Sequence, residues 1–552
     1  MGGYACAVCG HRLNAAARGC VMKETFRKSI GRLHTWSGLL TGWLLFVIFF
    51  TGTYSYFKDE ITYWMHPETH KAVLDAADKA FQAEMALKYL EANLPDAAEW
   101  SIIFADKRSP VLQVGHRERL PMDMKQVDYV RTAMPMRYLD PLTGEYLGAR
   151  DTEGGNFLYR FHIELYGLDR AMGRRIVGIA TMFMFIAIIS GVVIHKRIFK
   201  DFFMFRRKKG LRSWLDAHIF TSVLALPYHL MITYSGLVLV MIYILPFNSH
   251  KTAKAFEDHI AMHMRQEQIP LPDEKTPLPD IRTILADAEE RLGREAGSIS
   301  VSNPYSGNTL VTVSPGTGLD IVNGFKGTGS AERLTYKGSK GRFMGMMNMQ
   351  ASDGVAKTAG VLTSLHLARF ADTFLRWLFF VSGVLGTVMI GTGLIIWVNK
   401  KSAAMKKSFG RKLVEVLNVG GITGLVTATG VHFWANRLLP ANLASRAQWE
   451  IYVFFAAWFL LFLHPVLRTP KNAWREQLFF SASLYCLMPV LNAFTSEVNL
   501  FSAVSGGNAI IMGFDLTVFG LGLLFGYAGW KLTEKRNVPD GALSGVPVGR
   551  GN

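Results

Sequence analysis

The sequence predicts a mainly α-helical membrane protein. A four-helix bundle built from a duplicated unit is followed by four extra C-terminal helices and carries two small α+β extracytoplasmic modules. Three observations predict this. Half of the 552 residues are hydrophobic and they cluster in long runs; the net charge of +17 is concentrated in a few loops; and histidines recur at repeated spacing along the apolar runs.

Four runs, Leu39–Phe57, Ile176–Ile194, Ile219–Leu245 and Phe374–Val398, approach the ~20 residues that cross a bilayer. Four more, Val416–Trp434, Ile451–Val466, Leu478–Ala493 and Ile510–Trp530, are shorter or richer in glycine. The resulting division places the first span in 23–57 and the second and third in 161–245. The fourth lies in 366–400 and the last four in 413–533. Residues 1–22 are expected to be an unstructured extension, 401–412 a basic loop and 534–552 a tail.

Eight basic residues crowd Lys196–Arg212, six lie in Lys400–Lys412 and three in Arg468–Arg475; Lys531, Lys535 and Arg536 follow the last span. Eight alternating spans put all of them on one side, which the positive-inside rule makes cytoplasmic, with both termini. The charge therefore orients the chain on anionic lipid and does not point to nucleic acid. The expected location is a bacterial inner membrane, with the modules in the periplasm. Cys6, Cys9, His11 and Cys20 form at most half a zinc site, and Cys486 is a small core residue.

The first module, 58–160, opens with a helix over Ala72–Leu94 closed by Pro95. Strands follow at Trp100–Phe104, Val111–Val114 and Arg137–Leu139, with a turn at Asp140–Gly144. The second, 246–365, has a Pro-rich linker (Pro270–Pro279), a helix over Asp280–Leu292, and strands Ser298–Ser302 and Thr309–Val313.

The chain repeats itself. His34 precedes Gly52 by eighteen positions and His218 precedes Gly236 by the same number; His162 precedes Ser190-Gly191, and His366 precedes Thr392-Gly393 with a two-residue slip. Eighteen steps of ~100° are five whole turns, so histidine and glycine share a face. Because each unit holds two spans, the copies are related by a pseudo-twofold axis along the membrane normal. That axis sets His34 opposite His218 and His162 opposite His366.

Ionisable side chains at membrane depth are costly and are kept for function, and neutral imidazole is a common axial ligand of haem iron. Six histidines qualify: His34, His162, His195, His218, His229 and His366. His218 and His229, eleven residues apart on one helix, are expected in one groove at two depths. His34, His195 and His218 lie toward the cytoplasmic side; His162, His366 and His229 form an outer trio. One haem b is assigned to each trio, and which two of each three are axial stays open. His162 and His366 lie above the apolar core unless the helix bends near Gly167 and Gly173. His432 and His464 are read as structural, and His66, His70 and His116 as solvated. No cytoplasmic loop is long enough for a flavin or nicotinamide domain, so the donor is a membrane quinol or a separate cytoplasmic protein. The spans are read as lacking the buried Asp, Glu or Arg of an ion route.

Several motifs occur in order: Tyr159-Arg-Phe-His162, Gly191-Val-Val-Ile-His195, Trp214-Leu-Asp-Ala-His218 and Leu226-Pro-Tyr-His229 through Gly236. With Leu33-His-Thr-Trp-Ser-Gly38, Leu365-His-Leu-Ala-Arg-Phe370 and Tyr138-Leu-Asp-Pro-Leu-Thr-Gly-Glu145, they resemble the PepSY-associated transmembrane family over roughly residues 23–400. The resemblance implies an inner-membrane protein with b-type haems between four helices, reducing ferric siderophores on the periplasmic side. Two departures stand out: Tyr336-Lys-Gly-Ser-Lys340 replaces the turn expected in the second module, and four helices are added. The leading reading is a di-haem oxidoreductase passing electrons to ferric-siderophore iron. The alternatives are a non-enzymatic PepSY-module sensor or regulator and a transport-associated protein.

Overall fold

A computed structural model describes residues 7–72, 78–118, 134–195, 202, 210–244, 275–316, 332–348, 354–401 and 408–533. The first helix, α1, runs from Ala7 to Ser55, so residues 7–22 are helical rather than an unstructured extension. Side chains before Phe26, and with them the cysteine candidates near the N-terminus, lie outside the described ones.

Short α2 (Lys58–Trp64) and α3 (Lys79–Asn93) follow, then α4 (Gly155–Glu164), α5 (Arg170–Ile194), α6 (Leu211–Leu224) and α7 (Leu226–Ile244). After α8 (Ile281–Leu292) come α9 (Gly354–Leu367) and α10 (Thr373–Lys401). Among the described residues seven helices are long and apolar enough to cross a membrane, and α6 with α7, bent by 69°, makes an eighth if the pair is one span. Each falls on one of the expected runs. The bend follows from Pro227 in the first turn of α7, which has no N–H to continue the hydrogen-bond ladder. It also overturns the expectation that His218 and His229 share one straight helix.

The two modules are not separate. They form one antiparallel sheet of seven strands in the order β3-β2-β1-β4-β5-β6-β7. The strands are β1 (Glu99–Ile103), β2 (Leu112–Arg117), β3 (Met136–Leu139), β4 (Ala296–Ser302), β5 (Leu310–Pro315), β6 (Glu332–Lys337) and β7 (Arg342–Asn348). The seam is β1 against β4, with Ser101 opposite Ser300. Three strands fan out from the seam on either side before β7 is added, so the duplication is visible in the strand order itself. Alternate residues such as Trp100, Ile102, Ile299 and Val301 point to one face. There they bury against Ala86 and Leu90 of α3 and Ile284 and Leu285 of α8. β6 and β7 exceed the strands expected from sequence. They flank the Lys337–Lys340 turn that departs from the family pattern.

The last four spans begin with α11 (Phe409–Asn418), a π-helical turn at Val419–Thr423 and α12 (Gly424–Leu438). They continue through α13 (Arg446–Leu467), α14 (Pro470–Cys486), α15 (Met488–Thr495), α16 (Leu500–Gly506) and α17 (Ala509–Thr533). They dock on the first span and α2: Trp43 Nε1 donates to Asn418 Oδ1 at 2.9 Å, and Trp64 Nε1 to Asp515 Oδ1 at 3.0 Å.

Charged groups are in fact buried here, against expectation. Arg446, Glu450 and Asp515 are fully enclosed and Arg437 nearly so. They persist because they satisfy one another. Arg446 pairs with Glu450, Arg437 donates to Asn492 (3.0 Å), and Asn492 donates to Asp515 (2.9 Å). His66 and His70, read as solvated, are buried in the same region, hydrogen-bonded to the carbonyls of Thr62 and Tyr63 at 2.8 Å.

Candidate functional site: two facing histidine pairs

His162 sits on α4 and His366 on α9, short helices that fold back before the spans α5 and α10 begin. The breaks are equivalent. Leu165 (φ 55°) and Ala368 (φ 49°) both turn left-handed just after the histidine. In the first copy Gly167 has φ 86°, and a Cβ on Gly173 would lie 1.5 Å from the Glu164 carbonyl oxygen. This is the bend expected near Gly167 and Gly173. It turns α4 back so that His162 reaches the first span instead of standing above it.

Four histidines come together as two pairs. The rings of His34 and His218 have centroids 6.4 Å apart with planes crossed at 72°. Those of His162 and His366 are 6.2 Å apart and inclined by 28°. Each ring lies over a glycine of the repeat: His34 over Gly191, His162 over Gly52, His218 over Gly393 and His366 over Gly236. Added Cβ atoms there would meet Cε1 at 3.2, 2.7, 3.3 and 2.9 Å respectively. The glycine of each His–Gly repeat therefore receives a ring from another helix.

A second regularity concerns Nδ1. It meets the carbonyl oxygen of Ala187 (2.9 Å) in His34, of Ile48 (2.8 Å) in His162 and of Met389 (2.9 Å) in His218. In His366 it meets Ser235 Oγ at 3.0 Å, beside the Ile232 backbone. Each of these backbone positions is four residues before the glycine under that ring. A carbonyl only accepts, so in the first three Nδ1 carries the proton. The Nε2 lone pair is left free.

These residues fit a haem. Two imidazoles that would bind one iron from opposite sides, each at ~2.0 Å and with ~1.1 Å from nitrogen to ring centre, would place centroids ~6.2 Å apart. Both pairs match. Among the described residues no group of three or more His, Cys, Asp or Glu could hold a metal ion alone. Buried hydroxyls near the pairs, Ser37 and Ser364, have no hydrogen-bond partner.

His195 caps the end of α5 one turn beyond Gly191, and both pairs are complete without it. His229 is in neither pair. It is 1% exposed, stands beside Phe49 and over Gly386, and neither ring nitrogen makes a regular hydrogen bond. The carbonyls that orient the four rings are backbone atoms, which residue types do not reveal; only the spacing to glycine hints at them.

At the sheet-side end of the bundle an ionic cluster ties α1, α2 and α10 to the β1–β2 connection. Arg108 bonds Glu60 (2.9 Å) and Asp59 (3.0 Å), and Arg376 bonds Glu60. Burial pushes the Asp59 carboxyl up, but Lys58 and Arg108 outweigh it and hold it below its usual range.

This is a multi-pass helical protein with a duplicated histidine–glycine bundle under a single sheet. The PepSY-associated TM region matches residues 31–400, and the chain belongs to that family. It is also similar to an uncharacterized protein of Pseudomonas aeruginosa, 23% identical over 372 residues, which are 65% of this chain and 90% of that one. The family match ends before the last four spans.

Proposed function

We propose that the protein is a di-haem b-type oxidoreductase that moves electrons across the membrane, from the basic cytoplasmic side to an acceptor on the sheet side. One observation carries this: two pairs of imidazoles face each other at bis-ligand spacing, at opposite ends of the first span. His34 and His218 would hold one haem, His162 and His366 the other. Bound haem supplies a one-electron change at iron.

The protein's own groups do the rest. Carbonyls at Ile48, Ala187 and Met389 hold Nδ1–H and fix each ring's tautomer and orientation. Glycines let the rings approach neighbouring helices, and side chains such as Phe46 and Met389 keep water out. The acceptor we propose is ferric iron in a siderophore. Hard oxygen donors hold iron(III) strongly, and reduction to iron(II) loosens that hold. The donor would be a membrane quinol or a cytoplasmic electron carrier.

The test is a pyridine-haem assay with dithionite-reduced spectra on purified protein. Two haems b per chain are expected, with one lost in His218→Leu and one in His366→Leu. Wild-type protein without b-type bands after haem-sufficient expression overturns the reading.

A further inference from the structure

His229 is the buried titratable group that this arrangement leaves unused. Four histidines anchor Nδ1 on backbone or hydroxyl oxygens in well-formed bonds; His229 has both nitrogens buried, with only the Ser382 and Ser222 backbones nearby and no bond of regular geometry. A buried polar group whose bonds are poorly formed is a net cost to the fold, so packing does not explain the imidazole. A phenylalanine would fill the same space.

Its depth is informative. On α10 the glycine under His229, Gly386, is seven residues from Gly393, which lies under His218. On α7 His229 is seven residues from Gly236, which lies under His366. Seven residues rise ~10 Å, so the imidazole lies between the two pairs, about equally far from each.

The walls around it are neutral. α1 presents Phe49, with Thr53 one turn on and bonded to the Phe49 carbonyl. α10 presents Gly386 and the Ser382 backbone, and α6 the Ser222 backbone. The titratable neighbour on its own helix is Tyr228, whose hydroxyl is 2.9 Å from that of Tyr56 on the first span. Beyond Tyr56, whose carbonyl accepts from Arg108, lies the Glu60–Arg108–Arg376 cluster. Among the described residues, no charged side chain on these faces offsets negative charge arriving in the bundle.

We propose that His229 is the proton-accepting group of the bundle, taking up one proton when an electron enters and releasing it when the electron leaves. This rests on the di-haem reading. A reductant, a quinol in the membrane or dithionite in vitro, would supply the electron to a haem that the paired histidines would hold. Bulk water supplies the proton, which joins the unprotonated ring nitrogen of neutral His229. Net charge in the low-dielectric interior is then unchanged.

The experiment is redox potentiometry of the full-length protein in lipid nanodiscs, followed by its b-type absorption between about pH 6 and 8. Wild type, His229→Phe and His229→Gln are compared. The wild-type potential should fall as pH rises. Both variants should keep two haems and lose that slope, the Gln variant guarding against a packing defect in the Phe variant. An equal slope in both variants, a pH-independent wild type, or loss of a haem in His229→Gln overturns the proposal while leaving the di-haem reading standing. Absence of b-type bands in the wild type overturns the di-haem reading itself.

Discussion

A methyl group on Gly52 would lie 2.7 Å from both Nδ1 and Cε1 of His162. Real side chains do not approach so closely, and His162 is held by the Ile48 carbonyl one turn earlier on the same helix. Gly52→Ala must therefore shift the ring. The added Cβ at Gly191 would be 3.2 Å from His34, a contact that small movements relieve. On the proposed di-haem reading, we predict that Gly52→Ala reduces the protein to one haem per chain, whereas Gly191→Ala retains two. Haem stoichiometry by the pyridine assay decides it, and equal retention in both variants refutes the ranking.

The two pairs differ in ring orientation, 72° against 28°. If each pair holds a haem as proposed, this difference in orientation would give the two irons different electronic environments. The oxidised protein should therefore show two low-spin EPR signals. His34→Leu should remove one signal, and His366→Leu the other.

Arg446 and Glu450 form a fully buried ion pair. Removing one member leaves the other charged in a dry site, at a cost of about 3–5 kcal/mol; replacing both with apolar groups costs much less. Arg446→Met should lower the melting temperature of the purified protein sharply. Glu450→Leu in the same background should recover part of the loss, unless the bonds of Glu450 to Asn436 and Thr152 dominate. Stability no better in the double variant would place the cost in those bonds.

His66 and His70 are buried as neutral rings, with pKa values lowered to about 4 and about 3. Desolvation is the main cause for both, and Arg437 adds to it for His70. The unfolded chain binds these protons near pH 6.5, whereas the folded chain resists them. Stability is thus whole above that pH and falls as pH drops toward 4, by at most about 1.4 kcal/mol per pH unit for each group. Melting temperatures between pH 7 and 5 should show the decline, and His70→Asn should flatten it. An unchanged pH profile in the variant would assign the decline to other groups.

Much of the architecture was legible in the chain. Hydrophobic runs located the seven candidate spans and the bent pair of helices, because a bilayer selects for apolar length and little else. The eighteen-residue spacing from His34 to Gly52 and from His218 to Gly236 revealed the duplication, since helical periodicity puts both on one face. The acids and arginines of the last spans were misjudged. Asp515 and Glu450 are bearable only because Trp64, Asn492 and Arg446 meet them, and those partners come from distant segments.

What the sequence determined by itself is therefore local and periodic: the apolar runs, the repeat, and the placing of His34 opposite His218 and of His162 opposite His366 about the repeat's axis. Tertiary structure alone decided which of six histidines stand apart, since His195 and His229 have the same chemistry as the rest. It also merged the two modules into one sheet through Ser101 and Ser300, and bent the third span between His218 and His229. Such choices depend on which backbone carbonyls and glycines arrive from other helices. No single stretch of chain encodes that meeting.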